Sequence, residues 1–131
     1  MQQTSLKELV EQKLEECGKV GLHLGCGDVR LDDSSMINID IRETDVTDFL
    51  ADVTEPLNIE EESVDRVEAF DVLEHFSQKE INAVLSLWLS YLKQGGIIVL
   101  RVPDLIAIFT ETVKKKLPFQ TAQWLLYGGQ A

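Results

Sequence analysis

Residues 20–27 read Val20-Gly21-Leu22-His23-Leu24-Gly25-Cys26-Gly27, a short β-like run that passes directly into two glycines. Gly25 and Gly27 stand one residue apart, which lets the backbone turn tightly and lets a ligand approach the main chain. In α/β folds, ligands bind beyond the carboxyl ends of parallel strands. The residues that directly follow each strand are therefore the first candidates for a functional site.

Strands and helices alternate outward from this stretch. The capping-box pattern of Ser5 and Glu8 opens a helix that Gly18 is predicted to end. Further strands are predicted over 36–41, 49–53, 64–70 and 97–102. A second capping box at Ser77–Glu80 opens the clearest helix, which Gly95-Gly96 is predicted to end. The alternation predicts one α/β domain over 1–131, with a Rossmann-like, mostly parallel sheet of about five strands and flanking helices.

The last third of the chain is predicted to be helical. Asp104 follows Pro103 and is a candidate cap for a helix through about Lys116, and a short helix is expected up to Tyr127. Without a further strand, the apolar fifth strand would be an exposed edge, which invites pairing. We therefore expect the 104–127 helices, or a second copy of the chain in a homodimer, to cover that edge.

Charge and composition exclude several classes of function. The 23 acidic and 12 basic residues give a formal net charge of −11, which repels a nucleic-acid backbone. The longest apolar run, 105–109, is too short to span a bilayer, and the first residues lack a signal-peptide pattern. Cys17 and Cys26 form neither a CxxC motif nor a zinc-ligand spacing. We expect a cytoplasmic protein with no metal, nucleic-acid or membrane partner.

Carboxylates follow three successive strands. Asp40 lies near the end of the second predicted strand, Asp52 lies near the end of the third, and Asp71 follows Phe70 at the end of the fourth. This arrangement suits a nucleoside ligand that carries hydroxyls and an amine, whereas a polyphosphate would be repelled. A single such Asp is more often a helix cap or a solvated turn, and a single G-x-G is more often only a turn. A dinucleotide-binding loop is disfavoured because Arg30 stands where its third glycine belongs.

Five segments together resemble class I S-adenosylmethionine (SAM)-dependent methyltransferases, in particular a compact, bacterial, type 11-like subgroup. The segments lie at 22–27, 37–40, 51–57, 64–76 and 92–100. The family has seven strands and five are predicted here, so the resemblance implies a truncated seven-stranded methyltransferase fold. Only about a dozen residues separate Gly27 from Asp40, so the usual helix after the first loop must be short or replaced by a loop.

The resemblance also implies roles for the first loop and the second strand end. Gly25 and Gly27, with Cys26 between them, would cradle the methionine part and the sugar of SAM. Asp40 would hold the ribose hydroxyls, and Ile41 would pack beside the adenine.

At the third and fourth strand ends the implied roles complete the cofactor site. Asp52 would accept from the adenine amine with Val53 alongside, and Phe70 and Asp71 would border the methionyl end. His75 is the candidate catalytic base for an oxygen or nitrogen acceptor, although a residue at the start of a helix more often caps or packs there.

These features predict a SAM-dependent methyltransferase that acts on a small-molecule or saccharide-type acceptor. Two alternatives stay open at this point. One is a non-catalytic or degenerate SAM-binding or interaction module, since acceptor pockets in this fold draw on C-terminal elements. The other is an NAD-linked oxidoreductase, which Arg30 disfavours. The acceptor cannot be named, because a fold does not fix a substrate.

Overall fold

A computed structural model describes residues 3–102 and the strand at 105–109. Its strands are β1 Gly21–Leu24, β2 Met36–Asp40, β3 Phe49–Leu50, β4 Val64–Phe70, β5 Leu92–Val102 and β6 Leu105–Phe109. Its helices are α1 Leu6–Cys17, α2 Gln78–Ser90 and a 3₁₀ helix at Leu73–His75. No helix in this part of the chain combines the length and the apolar character needed to cross a membrane.

The sheet has the order β3-β2-β1-β4-β5-β6, and its first five strands are parallel. The predicted Rossmann-like α/β fold is therefore confirmed. The chain runs outward from β1 to β3 and then crosses to β4 on the other side of β1. Such a reversal of strand order leaves a crevice beyond the carboxyl end of β1, where ligands of open α/β sheets bind. The segment 25–35 between β1 and β2 contains turns and no helix, as its short length predicts.

The apolar core lies between one face of the sheet and the two helices. Leu22 pairs with Ile37 on one side and with Val67 on the other, so these side chains share a face. This face packs against buried residues of the helices, which are Leu6, Val10, Val84, Leu85 and Trp88. The burial fixes the height of α2 above the sheet and, with it, the position of the loops that α2 contacts.

Both predicted N-caps are present. The Ser77 side chain accepts from the Glu80 N–H and the Glu80 carboxylate accepts from the Ser77 N–H, which is a complete capping box. At α1 the Ser5 hydroxyl accepts from the Glu8 N–H at 3.1 Å and donates to the Glu8 carboxylate at 3.0 Å. Gly18, at φ +74°, ends α1 as predicted.

The predicted end of α2 is wrong by several residues. The helix ends at Ser90, and the segment 92–96 belongs to β5 instead of the helix. Leu92 pairs with Val64, and a register shift after that pair takes up the residues through Gly96. Pairing with β4 therefore prevails over the helical spacing, and the two glycines lie in an irregular start of the strand.

The helix predicted from Asp104 is also wrong where the structure describes it. Residues 105–109 form β6, which runs antiparallel to β5 from the pair Val102–Leu105 to the pair Ile98–Phe109. The physical reason is that the edge of β5 presents unpaired backbone groups and that Ile106 and Ile108 are β-branched. A strand of the same chain thus covers the edge expected to be covered by helices or by a second copy. The rest of that prediction, at 104 and 110–127, lies outside the described residues.

Candidate functional site

A cavity of about 320 Å³ opens at the carboxyl ends of β1, β2 and β3. Its lining residues are Gly25, Asp40, Ile41, Ala51, Asp52, Val53, Thr54 and Phe76. The volume lies at the lower end of the roughly 300–1,000 Å³ that small-molecule sites occupy. Five of the nine residues predicted to hold a cofactor line this one cavity, namely Gly25, Asp40, Ile41, Asp52 and Val53.

The loop after β1 adopts a conformation that requires glycine at Gly25. This residue has φ +71°, and a Cβ added to it would lie 2.7 Å from Cγ2 of Val72. The backbone N–H groups of Gly25 and Cys26 both donate to the Ile39 carbonyl, at 2.9 and 3.1 Å. The loop is therefore fastened by its main chain to the end of β2.

Asp40 joins this loop to β2 through its side chain. Asp40 is only 7% exposed; its Oδ2 accepts from Gly27 N–H at 2.7 Å and its Oδ1 accepts from Arg42 N–H at 2.9 Å. The Arg42 Nε lies 3.8 Å from Oδ1. An ionised carboxylate offers about four acceptor positions, so two remain for donors of a ligand. Asp40 is thus both a structural tie and an available acceptor at the cavity.

Asp52 stands on the opposite wall, in a turn that it stabilises itself. Its Oδ1 accepts from Thr54 Oγ1 at 2.6 Å and from Thr54 N–H at 3.0 Å. The hydroxyl first, and the amide second, lower the pKa of the Asp52 carboxyl below its ordinary value. The expected alternative of a local turn is therefore realised, and it keeps an ionised carboxylate at the cavity.

The remaining lining residues are apolar. Ile41 is 69% exposed, although it directly follows a fully buried strand, and Val53 and Phe76 are half buried. Together with Val53 and Phe76, the exposed Ile41 side chain offers a surface on which a flat apolar group can pack. Phe76 was missed from the sequence; its position directly before the Ser77 cap was the available signal.

Three of the predicted cofactor residues, Cys26, Phe70 and Asp71, do not line the cavity. Cys26 is 3% exposed with Sγ 3.5 Å from the Gly27 carbonyl, and burial raises the pKa of its thiol above the ordinary value. Phe70 lies under the Arg101 guanidinium, 4.9 Å from it, and Asp71 accepts from Arg101 Nη2 at 2.9 Å. Asp71 has φ +59°, a conformation that the short side chain of Asp tolerates.

Gly27 and His75 also differ from the cavity lining. Gly27, at φ +55°, contributes its N–H to Asp40 and does not face the cavity. His75 is exposed at the end of the 3₁₀ helix, where its N–H approaches the Val72 carbonyl at 3.3 Å. It directly precedes Phe76 without lining the cavity itself.

A second cavity, of about 190 Å³, lies at the amino ends of the strands, opposite to the first cavity. Its polar groups largely have partners within the protein: Asp65 accepts from Val20 N–H at 3.0 Å, and Asp33 accepts from Ser35 N–H and Oγ. Nowhere within residues 3–102 do three or more His, Cys, Asp or Glu side chains gather to hold a metal ion. The cavity at the carboxyl ends is therefore the better candidate for a ligand.

Comparison with solved structures identifies the fold. The chain superposes with a TM-score of 0.51 on a protein from Methanococcus maripaludis that is described as a SAM-dependent methyltransferase, at 15% identity over 70% of this chain and 52% of that one. It superposes with the same score on the [4+2]-cyclase SpnF, at 20% identity over 72% of this chain and 44% of that one. The chain thus has the Rossmann-like methyltransferase fold and spans about half the length of these neighbours.

No protein-family model matches the chain, and no curated protein matches it. At the observed identities the neighbours establish the fold alone. One fold carries many chemistries, and a cyclase stands among these neighbours, so function has to be argued from the site.

Proposed function

We propose that this chain binds SAM in the cavity at the carboxyl ends of β1–β3 and transfers its methyl group to a small-molecule or saccharide-type acceptor. The observation that carries the proposal is one cavity whose walls hold a buried carboxylate, an opposite carboxylate and an exposed apolar side chain: Asp40, Asp52 and Ile41. The proposal extends to membership of the compact, type 11-like class I methyltransferases and to a cytoplasmic location.

The residues of the cavity fit the chemistry of SAM. Asp40 has two acceptor positions left over, which suits the paired hydroxyls of a ribose. Ile41 and Val53 offer apolar surface for the two faces of an adenine, and the Asp52 carboxylate would accept from its amine. The residues that line the cavity include no Lys or Arg to neutralise a polyphosphate.

The protein contributes mainly position. Gly27 and Arg42 hold the Asp40 carboxylate before any ligand arrives, so binding costs little reorganisation there. Phe76, Ile41 and Val53 would exclude water from the bound adenosine. Because the cofactor supplies an activated methyl group on a sulfonium, the remaining task of the chain is to hold an acceptor in line with that group.

His75 is our candidate for the base that an oxygen or nitrogen acceptor needs. Its imidazole is exposed next to Phe76, so it is free to take up a proton from an acceptor bound at the mouth of the cavity. Phe70 and Asp71, at the end of β4, are proposed to border the methionyl end of the cofactor. Cys26, in the loop after β1, is proposed to lie near the methionine part and the sugar.

Calorimetric titration with S-adenosylhomocysteine (SAH) tests the cofactor site, with NAD as the control ligand. We expect micromolar binding of SAH and none of NAD. Asp40→Asn removes the charge and one acceptor oxygen and is expected to weaken SAH binding by about 1–3 kcal/mol. The matched control is Asp48→Asn, because Asp48 likewise accepts from a backbone N–H, that of Asn38, and lies off the cavity.

The outcomes separate the three functions considered. SAH binding that Asp40→Asn weakens and Asp48→Asn leaves intact supports the site, and transfer of a labelled methyl group to a sugar or small-molecule acceptor then supports the enzyme. SAH binding without transfer to any acceptor supplied favours a non-catalytic SAM-binding module. Binding of NAD in place of SAH contradicts the proposal.

A further inference from the structure

One wall of the cavity has almost no sheet to support it. The strand β3 that precedes this wall is two residues long, and the wall itself, residues 51–54, continues the ladder with one bond, from Ala51 N–H to the Asp40 carbonyl at 3.0 Å. The turn closed by Asp52 and Thr54 is internal to the wall and does not anchor it to the fold. Ala51 and Val53 also pack against the apolar core, but apolar packing is non-directional, so a hydrogen bond from elsewhere is needed to fix the orientation of this backbone.

Trp88 provides such a contact. Its side chain is fully buried in α2, and its indole Nε1 donates to the Val53 carbonyl at 2.9 Å, across 35 residues of sequence. A buried indole N–H needs an acceptor, and here the acceptor belongs to a residue that lines the cavity. Since α2 has a complete capping box and packs on the core, Trp88 is a rigid support for the wall.

A second aromatic residue fastens the same segment away from the cavity. The hydroxyl of Tyr91, the residue that follows α2, accepts from Leu57 N–H at 3.0 Å, and Leu57 is buried beyond the cavity. The two bonds resemble each other in that each joins an aromatic side chain near the end of α2 to the backbone of the 51–57 segment. They differ in that only the Trp88 bond reaches the cavity lining.

We propose that Trp88 is a positioning residue of the site: its indole N–H fixes Val53, and through it Asp52, against the adenine end of the cofactor. This inference rests on the proposed SAM site. Without the hydrogen bond from Trp88 to the Val53 carbonyl, residues 51–54 would change position. The Asp52 carboxylate would then no longer lie where it can accept from the 6-amino group of adenine. The loss should then fall on recognition of that amino group.

The test compares two ligands in two variants. Trp88→Phe removes the donor, and SAH is titrated beside S-inosylhomocysteine, which carries an oxo group in place of the 6-amino group. We expect Trp88→Phe to weaken SAH binding by about threefold to tenfold and to narrow the preference for SAH over the inosyl ligand. Tyr91→Phe, which loses the off-cavity bond, should lower the thermal midpoint yet keep both affinities and their ratio.

A measurement on the unaltered chain covers the case in which Trp88→Phe leaves too large a void to fold. The indole ¹⁵N–¹H signals are recorded with SAH, adenosine and homocysteine, and Trp124→Phe identifies which signal belongs to Trp88. The Trp88 signal should move with SAH and with adenosine and should stay in place with homocysteine.

Failure of the inference is distinguishable from failure of the proposed function. If the unaltered chain does not bind SAH, the SAM site itself is wrong. If it binds SAH while Trp88→Phe keeps the affinity and the ratio, or while adenosine leaves the Trp88 indole signal unmoved, the positioning role of Trp88 is overturned and the site stands.

Discussion

The two walls of the cavity are built in different ways. The first wall, Gly25 with Asp40, stands at the ends of β1 and β2, and main-chain bonds from Gly25 and Cys26 to Ile39 tie its two halves together. The second wall, residues 51–54, follows a strand of two residues, packs on the core through Ala51 and Val53, and accepts a hydrogen bond from the indole of Trp88 in α2. The first wall is thus part of the sheet, whereas the second is attached to it.

Substitutions in the two walls should therefore differ in how they change the stability of the fold and its affinity for a ligand. A substitution in the first wall disturbs the packing of β1 on β2 and should cost stability and ligand affinity together. A substitution that loosens the second wall should lower ligand affinity while the β1–β2 pairs stay in place. The following variants are ordered from the largest expected effect to the smallest.

Gly25→Ala should be the most damaging change in the first wall. The residue has φ +71°, and the new Cβ would lie 2.7 Å from the Val72 side chain, so the variant pays both for its backbone conformation and for a clash. We expect a loss of about 3 kcal/mol in the free energy of unfolding by urea, together with the loss of SAH binding.

Gly18→Ala is the matched control for that variant. Gly18 has nearly the same φ, +74°, and a Cβ there would meet nothing within 4 Å, so only the backbone cost of about 1–2 kcal/mol applies. Equal losses in the two variants would mean that Val72 gives way easily and that the first wall is less rigid than its contacts indicate.

Thr54→Val tests the internal turn of the second wall. The Thr54 hydroxyl is the main reason why the pKa of Asp52 lies below its ordinary value, so its removal should raise that pKa toward the ordinary value in a carboxyl ¹³C titration. A lowered pKa in the folded state stabilises the fold at pH values above the unfolded pKa, and this contribution is lost as the pH falls through the lowered value. At neutral pH the carboxylate is ionised in both proteins, so SAH affinity should fall by no more than about threefold.

Asp33 and Ser35 provide the control turn, because Asp33 accepts from the Ser35 N–H and hydroxyl in the same way and also has a lowered pKa. Ser35→Ala should raise the pKa of Asp33 and leave SAH binding unchanged, since this turn lies at the amino ends of the strands, away from the cavity that is proposed to bind SAH. A pKa of Asp52 that does not move in Thr54→Val would contradict the turn as described.

The same contrast explains what the sequence could predict. Gly25 and Asp40 are revealed by local patterns, since a strand that ends in glycines and a strand that ends in Asp can each be recognised within a few residues. The parallel sheet and both N-caps follow from equally local signals, and the structure confirms them. Trp88 falls on the apolar face of α2, which indicates only a core residue, and nothing near it in the sequence indicates Val53 as its partner.

The errors have a related cause. Leu92 fits the helical spacing of α2, yet its pairing with Val64 makes it the first residue of β5. Residues 105–109 follow a plausible helix cap, yet the free edge of β5 recruits them as β6. In each case a strand partner that is distant in sequence overrides a local propensity, and periodicity contains no information about that partner.

The smallest expected effect belongs to Gln3, which pairs with the outer edge of β3. Its side-chain amide donates to the Leu50 carbonyl at 3.3 Å and accepts from Leu50 N–H at 3.0 Å, as a neighbouring strand would. Both bonds are exposed, so Gln3→Ala should cost only about 0.5 kcal/mol of stability and less than about twofold in SAH affinity.

Amide hydrogen exchange separates this contact from the main support of the second wall. In Gln3→Ala the Leu50 amide should exchange faster, whereas the Ala51 amide, which donates to the Asp40 carbonyl, should keep its rate. In Trp88→Phe the pattern should reverse, with the effect falling on residues 51–54 and not on Leu50. If Gln3→Ala instead accelerated amide exchange throughout residues 51–54, the outer edge of β3 and not α2 would hold the second wall. The part of the site that is only attached to the sheet would then begin directly after β2 and include β3.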